Sequence, residues 1–164
     1  MTSQHSSLKF SKWQTWEQLD KSKDINNPGV YSIAITNKDL VGKKFDFKDV
    51  VYIGMTNSRG GLKQRLNQFK NSLNGKRAHS GGTRTFKEVK IKYKNWSNHK
   101  LKLFIAIHCV GTCQVDKKER KPKDLRVMGE CVFLEYEALA RFKYYSLRKD
   151  KNKEYYFEPK YNKK

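Results

Sequence analysis

The stretch VYIGMTNSRGGLKQRLNQF, Val51–Phe69, changes from the pattern of a strand to that of a helix across a glycine-rich turn. Its first part is short, apolar and rich in strand-forming residues, and it predicts a strand over Asp49–Thr56. After the turn, apolar residues recur at intervals of four, three and four, which predicts a helix over Gly61–Asn74. They share one narrow helical face: Leu62, Leu66, Phe69 and Leu73.

Two more strands are predicted on either side of this stretch. GVYSIAI, Gly29–Ile35, is short and apolar, and the charged segment that separates it from Asp49–Thr56 is typical of a hairpin loop. We therefore expect these two strands to pair antiparallel. The run KLKLFIAIHCV, Lys100–Val110, is the clearest strand, and its apolar middle predicts a place at the centre of the sheet.

Helices are predicted at three other places. Aromatic and leucine side chains three apart indicate a short helix over Phe10–Leu19, and a longer helical pattern covers Leu125–Ser146. The run Thr85–Trp96 fits both strand and helix periods, and helix is favoured. The basic, glycine-rich segment Gly75–Arg84 and the charged segment Gln114–Asp124 are predicted to be loops.

Composition favours a nucleic-acid partner. The chain has 164 residues and a formal charge of +20, and its basic residues recur along the whole length. No apolar run approaches the ~18 residues that a membrane span needs, and no signal-peptide core is present at the N-terminus, so the protein is expected to be cytoplasmic. We expect residues 1–27 to form a helical extension packed on one domain, residues 28–164.

Two charged residues do not fit a simple packing role. On a helical wheel of the last helix, Glu135 falls near the middle of an apolar face formed by Met128, Cys131, Val132, Ala138, Leu139 and Phe142. A carboxylate there needs a cation, a metal ion or several donors. Arg65 lies about 60° from the leucine stripe of its own helix. The two residues are predicted either to pair with each other or to serve chemistry, with Arg65 holding a phosphate and Glu135 acting as a metal ligand or as a general acid or base.

Together these residues resemble the GIY-YIG nuclease family. Its landmarks appear in order as GVY at Gly29–Tyr31, YIG at Tyr52–Gly54, the arginine in LKQRLNQF, the glutamate in FLEYEAL and the terminal PKYN. The resemblance covers residues 29–162. It implies an α+β fold with a small three-stranded antiparallel sheet flanked by helices, and hydrolysis of phosphodiester bonds with one divalent cation, Mg²⁺ or Mn²⁺.

The resemblance also implies roles for five side chains. Tyr31 and Tyr52 would lie on adjacent strands facing the scissile phosphate, and one of them, with Tyr31 favoured, would help to deprotonate the attacking water. Arg65 would clamp the phosphate, Glu135 would hold the metal ion, and Asn162 would buttress the site. Glu130, in GECVFL, is the second choice for the metal ligand.

This sequence departs from the family pattern at several positions. Phe69 stands four residues after the arginine, where many members have a polar or basic residue, so an auxiliary role there is vacant or supplied by Lys70 or His79. A tyrosine base also needs a cationic neighbour, because a phenol has a pKa near ~10. The candidates for that neighbour are Arg65, Lys63 and Lys70. Nucleic-acid contacts are predicted at Lys63, Lys70, Lys76, Arg77, His79 and Arg84.

The sequence therefore predicts a metal-dependent DNA endonuclease, with a restriction or mobile-element role, and with RNA as the less favoured substrate. The rival from another class is a basic nucleic-acid-binding module that keeps the fold without turnover. The sequence gives no signal of an oligomer or of a recognition site.

Overall fold

The computed structural model describes residues 7–111, 121–149 and 159–162. It has an α+β fold with a three-stranded antiparallel sheet in the order β2-β1-β3. The strands are β1, Gly29–Thr36; β2, Tyr52–Thr56; and β3, Lys102–Cys109. The predicted fold class and the antiparallel pairing of the first two strands are confirmed.

The prediction that the third strand lies at the centre of the sheet is wrong, because β1 is central and β3 is an edge strand. The N-terminal segment covers the outer edge of β3. Ser11 donates its N–H to the Ile107 carbonyl at 2.8 Å, and Gln14 and Ile105 exchange two backbone hydrogen bonds at 3.0 and 2.9 Å. The apolar middle of β3 is thus buried although β1 is the only strand of this sheet that pairs with it.

The N-terminal helix is shorter than predicted. Helix α1 covers only Trp16–Asp20, where Thr15 and Gln18 form a capping box that fixes its start. Trp13 lies before the helix in the extended segment and is fully buried. Trp13, Trp16 and Leu19 are therefore three residues apart because all three are buried in the core, and not because they lie on one helix.

The opening stretch folds as predicted from Tyr52 onward, but β2 begins three residues later than predicted because a 3-10 helix occupies Phe47–Asp49. Helix α2 covers Gly61–Leu73, and its leucine stripe is buried. Gly61 begins the helix with φ of +58°, and a Cβ there would lie 2.2 Å from the Asn26 carbonyl oxygen. A side chain is excluded at this position by both the backbone conformation and the lack of space.

The basic segment Gly75–Arg84 is not a loop throughout. Helix α3 covers Ser80–Val89 and ends at Lys90, which adopts φ of +58°. The predicted helix over Thr85–Trp96 is therefore interrupted, and a 3-10 helix follows at Tyr93–His99. The start of α3 at Ser80 was not predicted, because an argument from apolar periodicity overlooks a buried face made of small residues. That face consists of Gly81, Gly82 and Thr85.

Helix α4 is longer than predicted and turned on its axis. It covers Pro122–Lys149, with the proline in the first turn, where its missing N–H costs nothing. Val132 is 49% exposed, which contradicts its predicted place in the core. The buried face is rotated by about 50° and puts Glu135 at its border. That face consists of Val127, Cys131, Leu134, Ala138 and Phe142.

The sheet lies between two helical layers. Helix α4 packs on the face that presents Val30 and Ile53, and α1 and α2 pack on the face that presents Tyr31 and Tyr52. In the described part of the chain, no helix is both long and apolar enough to cross a bilayer.

Candidate active site

The two tyrosines lie on adjacent strands and on the same face of the sheet. Tyr31 is opposite Gly54 and Ile33 is opposite Tyr52, so the tyrosines are diagonal neighbours, and their ring centroids are 6.0 Å apart. A Cβ at Gly54 would lie 2.7 Å from the Tyr31 hydroxyl oxygen. The glycine of YIG therefore makes room for the tyrosine of GVY.

Tyr31 does not face the solvent. Its side chain is fully buried, and its hydroxyl lies 2.9 Å from Nε2 of His79. Burial and the nearby Tyr52 raise the pKa of Tyr31 well above its ordinary value, against the opposing charge of Arg65. The expectation that both tyrosines face a phosphate therefore does not hold for Tyr31.

Tyr52 is the tyrosine that connects the interior to the charged residues. Burial raises the pKa of Tyr52 above its ordinary value, and a hydrogen bond with Tyr31 and the charges of Arg65 and Arg84 offset that rise only in part. The carboxylate of Glu135 acts in the raising direction. Side chains from β1 and from helices α2, α3 and α4 thus influence this one phenol.

Arg65 lies at the border of the leucine stripe, as the helical wheel predicts. Its Nη1 donates only a long hydrogen bond, 3.5 Å, to Oε1 of Gln68, and its buried Nε has no hydrogen-bond partner. The side chain lines a cleft of about 390 Å³ together with Met55, Ser58 and Gln64. An arginine with unused donors beside a cleft is suited to bind an anion.

Glu135 reaches the same region from the opposite helical layer. Burial raises the pKa of its carboxyl group, and the charge of Arg65 and a hydrogen bond from the Met55 backbone lower it. Within the described residues, no ion pair joins Glu135 to Arg65. The simpler prediction, that these two residues only neutralise each other as a structural pair, is therefore not supported.

The outer edge of β2 brings these residues together. The side-chain amide of Asn162 accepts a hydrogen bond from the Ile53 N–H at 2.7 Å and donates one to the Ile53 carbonyl at 2.6 Å. The backbone N–H of Tyr161 donates to the Val51 carbonyl at 2.8 Å. The carboxyl group of Glu135 interacts with the backbone of Met55, two residues further along the same edge of β2. We call this group of Tyr52, Arg65, Glu135 and Asn162 the β2 edge site.

The other glutamates of α4 lie elsewhere. Glu137 forms an ion pair with Arg141, one helical turn later. Glu130 is half-buried and lies about 140° around the helix from Glu135, so the two carboxylates cannot both face β2. The residues that the structure describes contain no group of three or more His, Cys, Asp and Glu side chains able to hold a metal ion.

The predicted nucleic-acid contacts fall into separate groups. Lys63 pairs with Asp20 at 3.0 Å, and Lys70 lies over the Trp16 ring at 4.9 Å. Both lysines are about 150° around α2 from Arg65, so neither is placed to assist a tyrosine base.

The remaining basic residues surround the start of α3. Lys76 and Arg77 are exposed, and Arg84 donates a hydrogen bond to the Asn162 carbonyl at 2.8 Å, which joins it to the β2 edge site. His79 is only 4% exposed, which contradicts its predicted role as a surface contact. Its imidazole is instead the partner of Tyr31.

The position of His79 was missed because it depends on helix α3. A sequence signal for α3 exists in the small residues Gly81, Gly82 and Thr85, which repeat on one helical face and allow close packing. A Cβ at Gly81 would lie 2.3 Å from the Tyr52 ring. Recognising that face would have placed His79 at the helix N-cap beside the tyrosines.

A larger cleft, about 860 Å³, lies elsewhere and is lined by Thr15, Glu17, Trp96 and Lys100 among others. None of the predicted site residues lines it.

Searches with protein-family models, against curated proteins and against solved structures each return no match for this chain. The functional argument therefore depends on the β2 edge site itself.

Proposed function

We propose that the protein is a metal-dependent DNA endonuclease of the GIY-YIG type. The observation that carries this proposal is the meeting of Arg65, Glu135 and Tyr52 at one edge of the sheet without an ion pair between the two charged residues in the described structure. Keeping a half-buried cation and carboxylate close but unpaired costs free energy. Such an arrangement is typical of a site that binds a charged substrate.

Each residue has a step in the proposed hydrolysis. The guanidinium of Arg65 binds the scissile phosphate and stabilises the charge that develops on its oxygens. The phenolate oxygen of Tyr52 takes a proton from the attacking water. The water oxygen then bonds to phosphorus as the bond from phosphorus to the leaving oxygen breaks. Both phenols are buried, but Tyr31 is fully enclosed whereas Tyr52 keeps 6% of its surface exposed, which supports Tyr52, and not Tyr31, as this base.

The donor set fits a divalent cation with few protein ligands. Mg²⁺ commonly keeps several waters and binds through one or two carboxylates together with substrate phosphates. Glu135 is half-buried, and the Met55 backbone at the edge of β2 lowers the pKa of its carboxyl group, which favours the charged form that a metal ion needs. Glu135 would therefore hold Mg²⁺ or Mn²⁺, which when bound would polarise a phosphoryl oxygen and stabilise the leaving group.

DNA is the proposed partner because of charge. The chain carries +20, Lys76 and Arg77 are exposed shortly before α3 begins, and Arg84 of α3 donates a hydrogen bond to Asn162 of the β2 edge site. These cations would neutralise backbone phosphates, so binding should weaken steeply as salt is added. A restriction or mobile-element role remains the proposed biological setting.

The direct test is cleavage of supercoiled plasmid DNA in Mg²⁺ or Mn²⁺, with EDTA as the metal-free control. The wild-type chain should nick or linearise the plasmid only with metal. Arg65→Ala should lower the rate by at least ~10²-fold, because the developing charge loses its donor. Arg126→Ala, which removes an exposed arginine from α4, is the matched control and should cut like the wild type.

The same gel separates the two candidate functions. A wild-type chain that shifts DNA in a binding assay but never cuts it would support the non-catalytic module. Equal cutting by wild type and Arg65→Ala would indicate a contaminating nuclease or a wrong site, and either result contradicts the proposal.

A further inference from the structure

His79 is a buried polar residue that the landmarks of the resemblance do not include. Its backbone N–H donates to Oγ of Ser72 at 2.8 Å, which ties the start of α3 to the end of α2. Its ring packs against Phe69, with the ring centroids 5.2 Å apart, and against Tyr52 at 5.9 Å. These contacts fix the imidazole with one nitrogen at the Tyr31 hydroxyl.

The hydrogen bonds of His79 determine which ring nitrogen carries the proton. The Gly82 backbone N–H donates to Nδ1 at 3.1 Å, so Nδ1 must present a lone pair. Burial and the charges of Arg65 and Arg84 lower the pKa of His79 to about 3, so the ring is neutral near pH 7. The single ring proton is therefore on Nε2, and Nε2 donates to the Tyr31 oxygen.

The Tyr31 hydroxyl then has one direction left for its own proton. A phenol can accept two hydrogen bonds and donate one. Nε2 of His79 lies 2.9 Å from the Tyr31 oxygen, and the guanidinium of Arg65 and the hydroxyl of Tyr52 are the other polar groups that act on the pKa of Tyr31. The first two can only donate, because an arginine and this histidine tautomer offer no acceptor there. Tyr52 is thus the partner that can accept the Tyr31 proton.

We propose that His79 is a positioning residue of the nuclease site: by donating from Nε2 to Tyr31 it orients the Tyr31 hydroxyl proton onto the Tyr52 oxygen. We call this chain of hydrogen bonds, His79 to Tyr31 to Tyr52, the phenol relay. A hydrogen bond received from Tyr31 stabilises the phenolate of Tyr52 and so helps Tyr52 to act as a base. The inference rests on the proposed function, because the relay matters for rate only if Tyr52 takes part in cleavage.

The relay also accounts for the missing auxiliary residue. Phe69 occupies the position where family members carry a polar or basic side chain, and its ring lies against His79. His79 therefore supplies from the N-cap of α3 a polar contact that Phe69 cannot make. The charged and titratable groups facing this imidazole come from four elements: Tyr31, Tyr52, Arg65 and Arg84.

The alternative role for His79 is structural, as an N-cap of α3. Two substitutions separate these roles, because one keeps the hydrogen-bond acceptor at the place of Nδ1 and the other keeps the donor at the place of Nε2. His79→Asn keeps an acceptor for the Gly82 N–H and is a strong N-cap, but it does not reach Tyr31. His79→Gln keeps a donor at the place of Nε2 and loses the cap. Stability and activity should therefore rank the two variants in opposite orders.

The first measurement is plasmid cleavage under single-turnover and steady-state conditions, with thermal melting of each variant. His79→Asn should lose about 10²-fold in kcat with little change in KM, because His79 does not reach the surface to touch DNA. His79→Gln should remain within about 10-fold of wild type while melting below His79→Asn. Wild-type activity in His79→Asn, or lower activity in His79→Gln than in His79→Asn, overturns the inference.

The second measurement does not need activity. Nitrogen NMR of the labelled wild-type chain at pH 7 should show His79 neutral with its proton on Nε2. A proton on Nδ1 would refute the phenol relay even in an active enzyme. A wild-type chain with the Nε2 proton but no cleavage under any metal would instead refute the proposed function, and with it the catalytic purpose of the relay.

Discussion

The two outer edges of the sheet are closed in different ways. At β3 the covering segment is a main chain, and Ser11 and Gln14 pair with Ile107 and Ile105 much as another strand would. At β2 the cover consists largely of side chains, with the Asn162 amide on Ile53 and the Glu135 carboxylate at Met55. Unpaired strand edges must be covered in any stable protein, but only the second kind of cover brings chemical groups to the edge.

This difference explains why the candidate site is at β2. At β3 the covering segment uses the N–H and carbonyl groups of both Ile105 and Ile107, with Oγ of Ser11 accepting from the Ile107 N–H, and the residues of that segment that pair with β3 are uncharged. Side-chain pairing lets residues distant in sequence, such as Arg84 and Asn162, meet at one point. The β3 edge therefore contributes stability, and the β2 edge contributes both stability and the proposed site.

Breaking the β3 edge should have the larger effect on stability. Gln14→Pro removes the N–H that donates to the Ile105 carbonyl, and the free energy of unfolding should fall by about 3 kcal/mol. Gln14→Ala keeps both backbone hydrogen bonds and should change it by less than about 0.5 kcal/mol. Urea unfolding followed by circular dichroism measures both variants.

Cleavage per folded molecule should be unchanged in Gln14→Pro, since the β3 edge carries no site residue. A loss of activity at temperatures where the variant is fully folded would show that the two edges are coupled, and would contradict the separation of roles.

Breaking the β2 edge should cost less stability but also activity. Asn162→Ala leaves both backbone groups of Ile53 without their amide partner, which should lower the free energy of unfolding by about 2 kcal/mol. Cleavage should fall about 10-fold, because Arg84 and the end of β2 lose a support. Lys160→Ala, an exposed change in the same turn, is the control and should match wild type in both assays. A variant Asn162→Ala that is destabilised but fully active would make Asn162 purely structural.

Much of this architecture follows from the sequence because local patterns determine it. The leucine stripe of α2 identifies both the helix and the border position of Arg65, and the alternation in β1 and β2 places the tyrosines on one face. Glu135 was identified by the same periodicity, although the wheel placed it about 50° too close to the centre of the buried face.

The parts that failed depend on contacts between distant residues. The edge position of β3 follows from a cover near Ser11, almost a hundred residues earlier, and no local pattern in an apolar strand reveals such a partner. The burial of His79 follows from close packing by Gly81 and Gly82, which carry no hydrophobic signal. The predicted divalent cation, DNA substrate and catalytic roles stay predictions.

The central claim is that Glu135 at the β2 edge holds the catalytic metal ion, and the most direct test compares three isosteric variants. Glu135→Gln should lower metal-dependent plasmid cleavage by about 10³-fold while melting like a folded protein and binding DNA at least as tightly as wild type. Glu130→Gln and Glu137→Gln, on the same helix, should cut within a few-fold of wild type. Cleavage at the wild-type rate by Glu135→Gln, or a comparable loss in Glu130→Gln alone, would contradict the assignment.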